Sequence, residues 1–153
     1  MRDVKIIIGL IVLMAMMGIT GCSSELADRN STSTGINSGV AVDPYIEGAV
    51  FQEVAADGTV LQRQSTPSDA QGVFVFPKPL SEGSRVDLKV SQKGMHEGAP
   101  FEGMLKRKVN SDNAGALIVS PLTTLLANGV TEQEIIDLFS DVGLGLTRED
   151  LYR

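Results

Sequence analysis

The chain has one cysteine, one histidine and no tryptophan among 153 residues. A single cysteine excludes a disulfide within the chain, so the fold must hold by packing alone. One histidine, with no second histidine and no spare thiol, leaves no ligand set for a transition metal. The same scarcity argues against a Ser-His-Asp triad, and no G-x-S-x-G elbow is present. Gly-rich phosphate loops are absent as well. The only flat phenolic rings are Tyr45 and Tyr152, too few for a carbohydrate-stacking platform. Basic residues are also scarce: 13 Lys and Arg against 19 Asp and Glu, a net charge of −6. Nucleic-acid binding calls for a basic face, so that class is excluded. No catalytic residue, no metal site and no cofactor is expected, and the chain does not read as an enzyme.

Long hydrophobic runs are missing too. The longest, Ile6 to Met17, has twelve residues, against about 20 for a membrane-spanning helix. It follows Arg2 and Lys5 and precedes small residues, the order found in secretory signals. The stretch Ile19-Thr20-Gly21-Cys22 resembles the lipobox of bacterial lipoprotein precursors. That resemblance implies cleavage between Gly21 and Cys22 and attachment of acyl chains, palmitate among them, to Cys22. Each buried methylene contributes about 0.8 kcal/mol, and one chain alone holds weakly; lipoproteins of the type resembled carry two or three. The implied location is the cell envelope, lipid-anchored. Ser23 stands where the enterobacterial sorting pattern has Asp for inner-membrane retention, which favours the outer membrane over the inner.

Residues 1–21 are accordingly expected to be a signal peptide. The remaining 132 residues suffice for one domain with a core. Without Arg2, Lys5 and Asp3 they carry 11 basic and 18 acidic residues, a net charge of −7. That argues against electrostatic docking on anionic lipid. Residues 22–42, rich in Ser, Thr, Asn and Gly, are expected to be the lipidated cysteine and a flexible tether. Ser23 to Gly39 would span roughly 25 Å as a coil.

Residues 43–119 read as short strands separated by turns. Tyr45 to Val54 is β-like, with Ile46, Gly48, Val50 and Val54 on one face. Asp57-Gly58 marks a tight turn, and Val60 to Gln64 returns. Asp69 to Gly72 is another turn. Val73-Phe74-Val75-Phe76 is apolar on both faces, as in a central buried strand, and Pro77 and Pro79 end it. Arg85 to Ser91 alternates, with Val86, Leu88 and Val90 inward and Arg85, Asp87 and Lys89 outward. Phe101 to Val109 is a weaker strand, Asn110 to Gly115 a turn, and Ala116 to Val119 a last strand. This spacing predicts a mainly β fold, a small sandwich.

Ile46-Glu47-Gly48-Ala49-Val50-Phe51, then Asp57-Gly58, then Ser68-Asp69-Ala70-Gln71-Gly72-Val73-Phe74-Val75-Phe76 resembles carboxypeptidase regulatory-like and Cna B-type domains. Those are prealbumin-like or immunoglobulin-like sandwiches with a G-x-V strand and a T-D-x-x-G-x-F segment. Ser68 replaces the usual Thr. The resemblance covers residues 43 to 92 and implies a stalk, spacer or binding module without catalysis.

Residues 120–153 read as a helical tail. Ser120-Pro121 is a helix start, and Leu122, Leu125 and Leu126 share a face before Gly129 closes the helix. Thr131 to Glu134 is a capping box, with Val130 and Ile135 placed as a staple. Ile135, Leu138, Phe139 and Val142 form an amphipathic stripe, expected to pack on the sandwich rather than in a partner's groove. Thr147 to Asp150 opens a third helix that stops at Arg153, frayed or cut short from a longer protein. Other polar features read as ordinary surface. His96-Glu97 is a polar loop, Asp57, Asp69 and Asp112 cap turns rather than bind calcium, and Lys106-Arg107-Lys108 is a solvated strand end.

Two function classes remain. The first is an envelope-anchored binding or scaffolding lipoprotein that presents sandwich loops or an edge strand to an unknown protein partner. The second is an accessory subunit of an envelope enzyme or export complex, docking through its tail. An open sheet edge favours the first, and an exposed apolar face on residues 131 to 144 favours the second.

Overall fold

The computed structural model describes residues 32–110 and 117–152. Strand β1 (Ser38–Ala41) is the centre of a three-stranded sheet. On one side it pairs antiparallel with β5 (Val73–Val75), on the other parallel with β10 (Leu117–Val119). A four-stranded antiparallel sheet runs in the order β4 (Val60–Gln64), β3 (Phe51–Val54), β6 (Arg85–Leu88), β9 (Lys106–Lys108). A small third sheet joins β2 (Ile46–Glu47), β7 (Met95–His96) and β8 (Ala99–Pro100). Helices α1 (Pro121–Ala127) and α2 (Glu132–Asp141) follow, then a 3-10 turn at Glu149–Tyr152. The fold is mainly β, a small sandwich with short C-terminal helices.

The core lies between the two larger sheets. Alternation on β6 buries Val86 and Leu88, and on β5 it buries Phe74. Phe74 and Phe51 stack at 4.2 Å between centroids, and Phe76 meets Phe74 edge-on at 6.0 Å. Ala41, Leu117 and Val119 complete the opposite wall. Gly39 must be glycine, because a Cβ there would lie 2.6 Å from the Leu117 carbonyl oxygen and collide with the Phe74 ring.

The turns expected at Asp57-Gly58 and at Asp69 to Gly72 both form. Gly58 (φ 89°) sits in the β3–β4 hairpin, where Asp57 Oδ1 accepts from the Thr59 N–H at 2.9 Å. Gly72 (φ 75°) ends a turn in which Asp69 Oδ1 accepts from the N–H groups of Gln71 and Val73, each at 2.9 Å.

Several expectations need correction. From Thr32 onward the presumed tether is part of the sandwich. Ser33 bridges to Ser81, Ile36 is buried, and Ser38–Ala41 is the middle strand of a sheet. The pairing supplies what composition could not, because the partners lie more than 30 residues away. Tyr45 to Val54 is two strands, broken where Gly48 takes φ 77°. Ser68 secures that break: its hydroxyl donates to the Ile46 carbonyl at 2.6 Å and accepts from the Ala49 N–H at 2.9 Å. Val73 to Val75 is an edge strand, not a central one, and the side chains of Val73 and Val75 face water. Val90 lies beyond the end of β6 and is exposed, whereas Asp87, expected outside, is buried. Residues 111–116, which hold most of the expected turn at 110–115, lie outside the described residues.

Candidate functional site

The functional question centres on the sheet edges and the C-terminal helices. Among the described residues strand β5 has no strand on its outer side, yet that side is sealed. The Val75 N–H donates to Thr66 Oγ1 (3.1 Å) and the Thr66 N–H to the Val75 carbonyl (2.8 Å); the Asp69 N–H likewise donates to the Val73 carbonyl (3.0 Å). Strand β9 is sealed by α1. The Lys106 N–H donates to Thr124 Oγ1 at 2.8 Å, and the Lys106 carbonyl lies 3.0 Å from the Thr123 hydroxyl. Strand β4 ends the four-stranded sheet, and no strand lies beside it among the described residues.

Helix α1 begins as its sequence dictates, with Ser120 as N-cap and Pro121 in the first turn. Its box closes with Thr123 rather than Glu: Thr123 Oγ1 accepts from the Ser120 N–H at 2.9 Å. The single buried side chain of α1 is Thr123, while Leu125 of the expected apolar face is 37% exposed. Thr123→Val should therefore cost about 1–2 kcal/mol in thermal or urea unfolding, because the Lys106 carbonyl and Ser120 N–H lose their partner. A loss below about 0.5 kcal/mol would mean that water replaces the hydroxyl freely.

Helix α2 is capped by Thr131 and Glu134. The Thr131 backbone N–H, then its hydroxyl, hold the Glu134 carboxyl below its ordinary range. The expected stripe packs only in part, with Phe139 half-buried. Ile135 is buried, but Leu138 is 59% and Val142 68% exposed, and Leu144 beyond the helix is 57% exposed. The sandwich face beside the tail is taken by α1, which packs on β9 and β10, and the 3-10 turn packs in turn on α1, with its Leu151 buried.

That turn is docked, which corrects the reading of a frayed end. The Tyr152 hydroxyl donates to Glu132 Oε1, and Arg148 Nε lies 2.7 Å from Glu132 Oε2. Burial, followed by the bond to Glu132, pushes the Tyr152 phenol above its ordinary pKa, so it keeps its proton for donation. The Tyr152 ring covers the Arg107 guanidinium, 4.6 Å from its centroid. Arg107 was expected in solvent with Lys106 and Lys108. It is buried between Leu105 and Val109 on the inner side of β9, and burial lowers its pKa. Its Nε has no hydrogen-bond partner among the described residues.

A second buried charge lies on β3, where the sequence pattern alone does not mark it. Glu53 is fully buried on β3; its Oε1 accepts from the Ser81 N–H at 2.7 Å, and its Oε2 lies 3.0 Å from Arg63 Nη1. Arg63 also donates to the Pro79 carbonyl at 3.0 Å. Glu53 shares the side of Phe51, and that shared parity was the available signal.

The remaining polar candidates stay apart. His96 Nε2 lies 4.0 Å from Glu97 Oε2, and no group of three His, Cys, Asp or Glu residues is placed to hold a metal among the described residues. Asp57 and Asp69 cap turns; Asp112 lies outside the described residues, as do Gly21 and Cys22. A shallow cleft of about 280 Å³ lies between Ala55, Gly83 and Lys108, and Arg85 on its wall is held by Asp87 at 2.5 and 2.8 Å. No family model, curated protein or solved structure matches the chain.

Proposed function

We propose that this protein is a lipid-anchored, non-catalytic accessory protein of a bacterial cell envelope that docks on a partner protein through its C-terminal helices. The observation that carries the docking element is the exposure of Leu138, Val142 and Leu144 at the end of the tail's second helix. Exposed apolar patches on a folded chain commonly mark interaction sites. The anchor rests on Ile19-Thr20-Gly21-Cys22 and the apolar run before it, and the outer membrane is the favoured location because Ser23 follows the cysteine. The non-catalytic role rests on the scarcity of histidine and on the dispersed acids.

Lipidation is tested by mass spectrometry of the mature N-terminus, which should begin at an acylated Cys22. Cys22→Ala should abolish both acylation and cleavage there. An unmodified Cys22, or a start elsewhere, removes the anchor from the proposal. Docking is tested by a photo-crosslinking residue at position 138 in cells, which should give a discrete protein adduct absent with the same residue at position 62.

The position-62 control also probes a second reading, favoured by the outer side of β4, where no strand lies among the described residues and Val60, Gln62 and Gln64 are exposed. An extended segment of a partner could add there as a further strand. A discrete adduct at 62 and none at 138 would move the contact from the tail to the sandwich.

A further inference from the structure

The tail's exposed face also specifies the chemistry of what it meets; this inference rests on the docking role proposed above. We propose that α2 fits an apolar groove of another protein whose rim carries lysine or arginine. Leu138 on α2 and Val142 at its C-cap are four residues apart, one turn along the same side, with Leu144 just beyond. Beside them runs an acidic row, Glu134, Asp137 and Asp141, one residue per turn at the i, i+3 and i+4 spacings that place side chains together. Residues 131–147 contain no lysine or arginine. The next cation along the sequence, Arg148, is engaged with Glu132.

This charge pattern selects among three possible occupants. Helices that lie in a lipid surface carry lysine and arginine on the polar face, where they meet anionic headgroups. An acidic row faces repulsion from such a surface. A second copy packed through the same face would set one acidic row against another, and like charges across an interface cost several kcal/mol. Three aliphatic side chains also fall well short of the roughly 800 Å² per partner of a standard interface. They suit the apolar centre of a mixed contact, with the carboxylates meeting cations at its rim.

The absence of tryptophan provides the test. Leu138→Trp in the full-length chain, reconstituted in liposomes containing anionic lipid, gives a single reporter on the face. Its emission should be that of water-exposed indole and independent of protein concentration. A synthetic amphipathic helix of leucine and lysine should shift it to the blue and protect it from quenching by iodide. Its leucine–glutamate counterpart should not. Adding Asp137→Lys and Asp141→Lys should weaken binding of the lysine peptide by roughly tenfold and admit the glutamate peptide.

Blue emission in liposomes alone would assign the face to lipid. A shift that grows with protein concentration would assign it to a second copy. Equal response to both peptides, or to neither, would overturn the basic rim. If a crosslink at 138 to a protein persists in cells while the peptides fail, the docking role stands and only the charge of its partner is wrong.

Discussion

Phe74→Ala should destabilise the protein by about 3–5 kcal/mol, the largest effect expected of a single truncation here. Phe74 is fully buried and carries the contact between the sheets, stacked on Phe51 of β3 at 4.2 Å and edge-on to Phe76 at 6.0 Å. Gly39 leaves room for this ring on β1, so alanine there opens a void that the neighbouring backbone cannot readily fill. Urea unfolding followed by circular dichroism reads the loss as a lower midpoint at an unchanged slope. Val73→Ala and Val75→Ala on the same strand should each cost under about 1 kcal/mol, since both side chains face water. If all three substitutions cost the same, Val73 and Val75 are covered and the strand's alternation is misassigned.

Arg63→Met should cost about 3–5 kcal/mol through a different mechanism. The variant keeps most of the arginine's stem but removes the cation 3.0 Å from Glu53 Oε2. Glu53 is fully buried and keeps the Ser81 N–H, but one N–H does not compensate a buried carboxylate. The double variant Glu53→Leu with Arg63→Met should recover a substantial part of the loss, because two apolar groups need no mutual partner. Recovery will be incomplete, since the Ser81 N–H and the Pro79 carbonyl each lose a bond. A double variant as unstable as the sum of its two singles would show that the carboxylate and the guanidinium act independently.

The features legible in the sequence are those decided within a few residues. Asp57-Gly58, Asp69 to Gly72, Ser120-Pro121 and the Thr131–Glu134 box each carry their own hydrogen-bond partners, and all four form as their residues dictate. The failures come from distant pairing. Whether Val73 and Val75 are covered depends on where β5 falls in the sheet, and β5 alone does not say. Residues 38–41 look like linker until Leu117–Val119 pairs with them across the whole domain. Arg107 sits in a run of three basic residues that reads as surface, and only Tyr152, 45 residues later, explains its burial. The α2 stripe was read from its period, but period reports only that one face is apolar. Whether that face is covered depends on α1 packing on β9 and β10 and the 3-10 turn packing on α1 beside it.

The parallel pairing of β1 with β10 has a mechanical consequence. These strands lie near the two ends of the described fold and run in the same direction, joined at Gly39–Leu117, Val40–Ile118 and Ala41–Val119. Tension entering before Thr32 and leaving through the helices pulls the two strands lengthwise past each other. Their hydrogen bonds then bear the load together, as in a lap joint, rather than opening one after another as in a zip. A domain hung by its N-terminal side and pulled through α2 is therefore loaded along its more resistant direction.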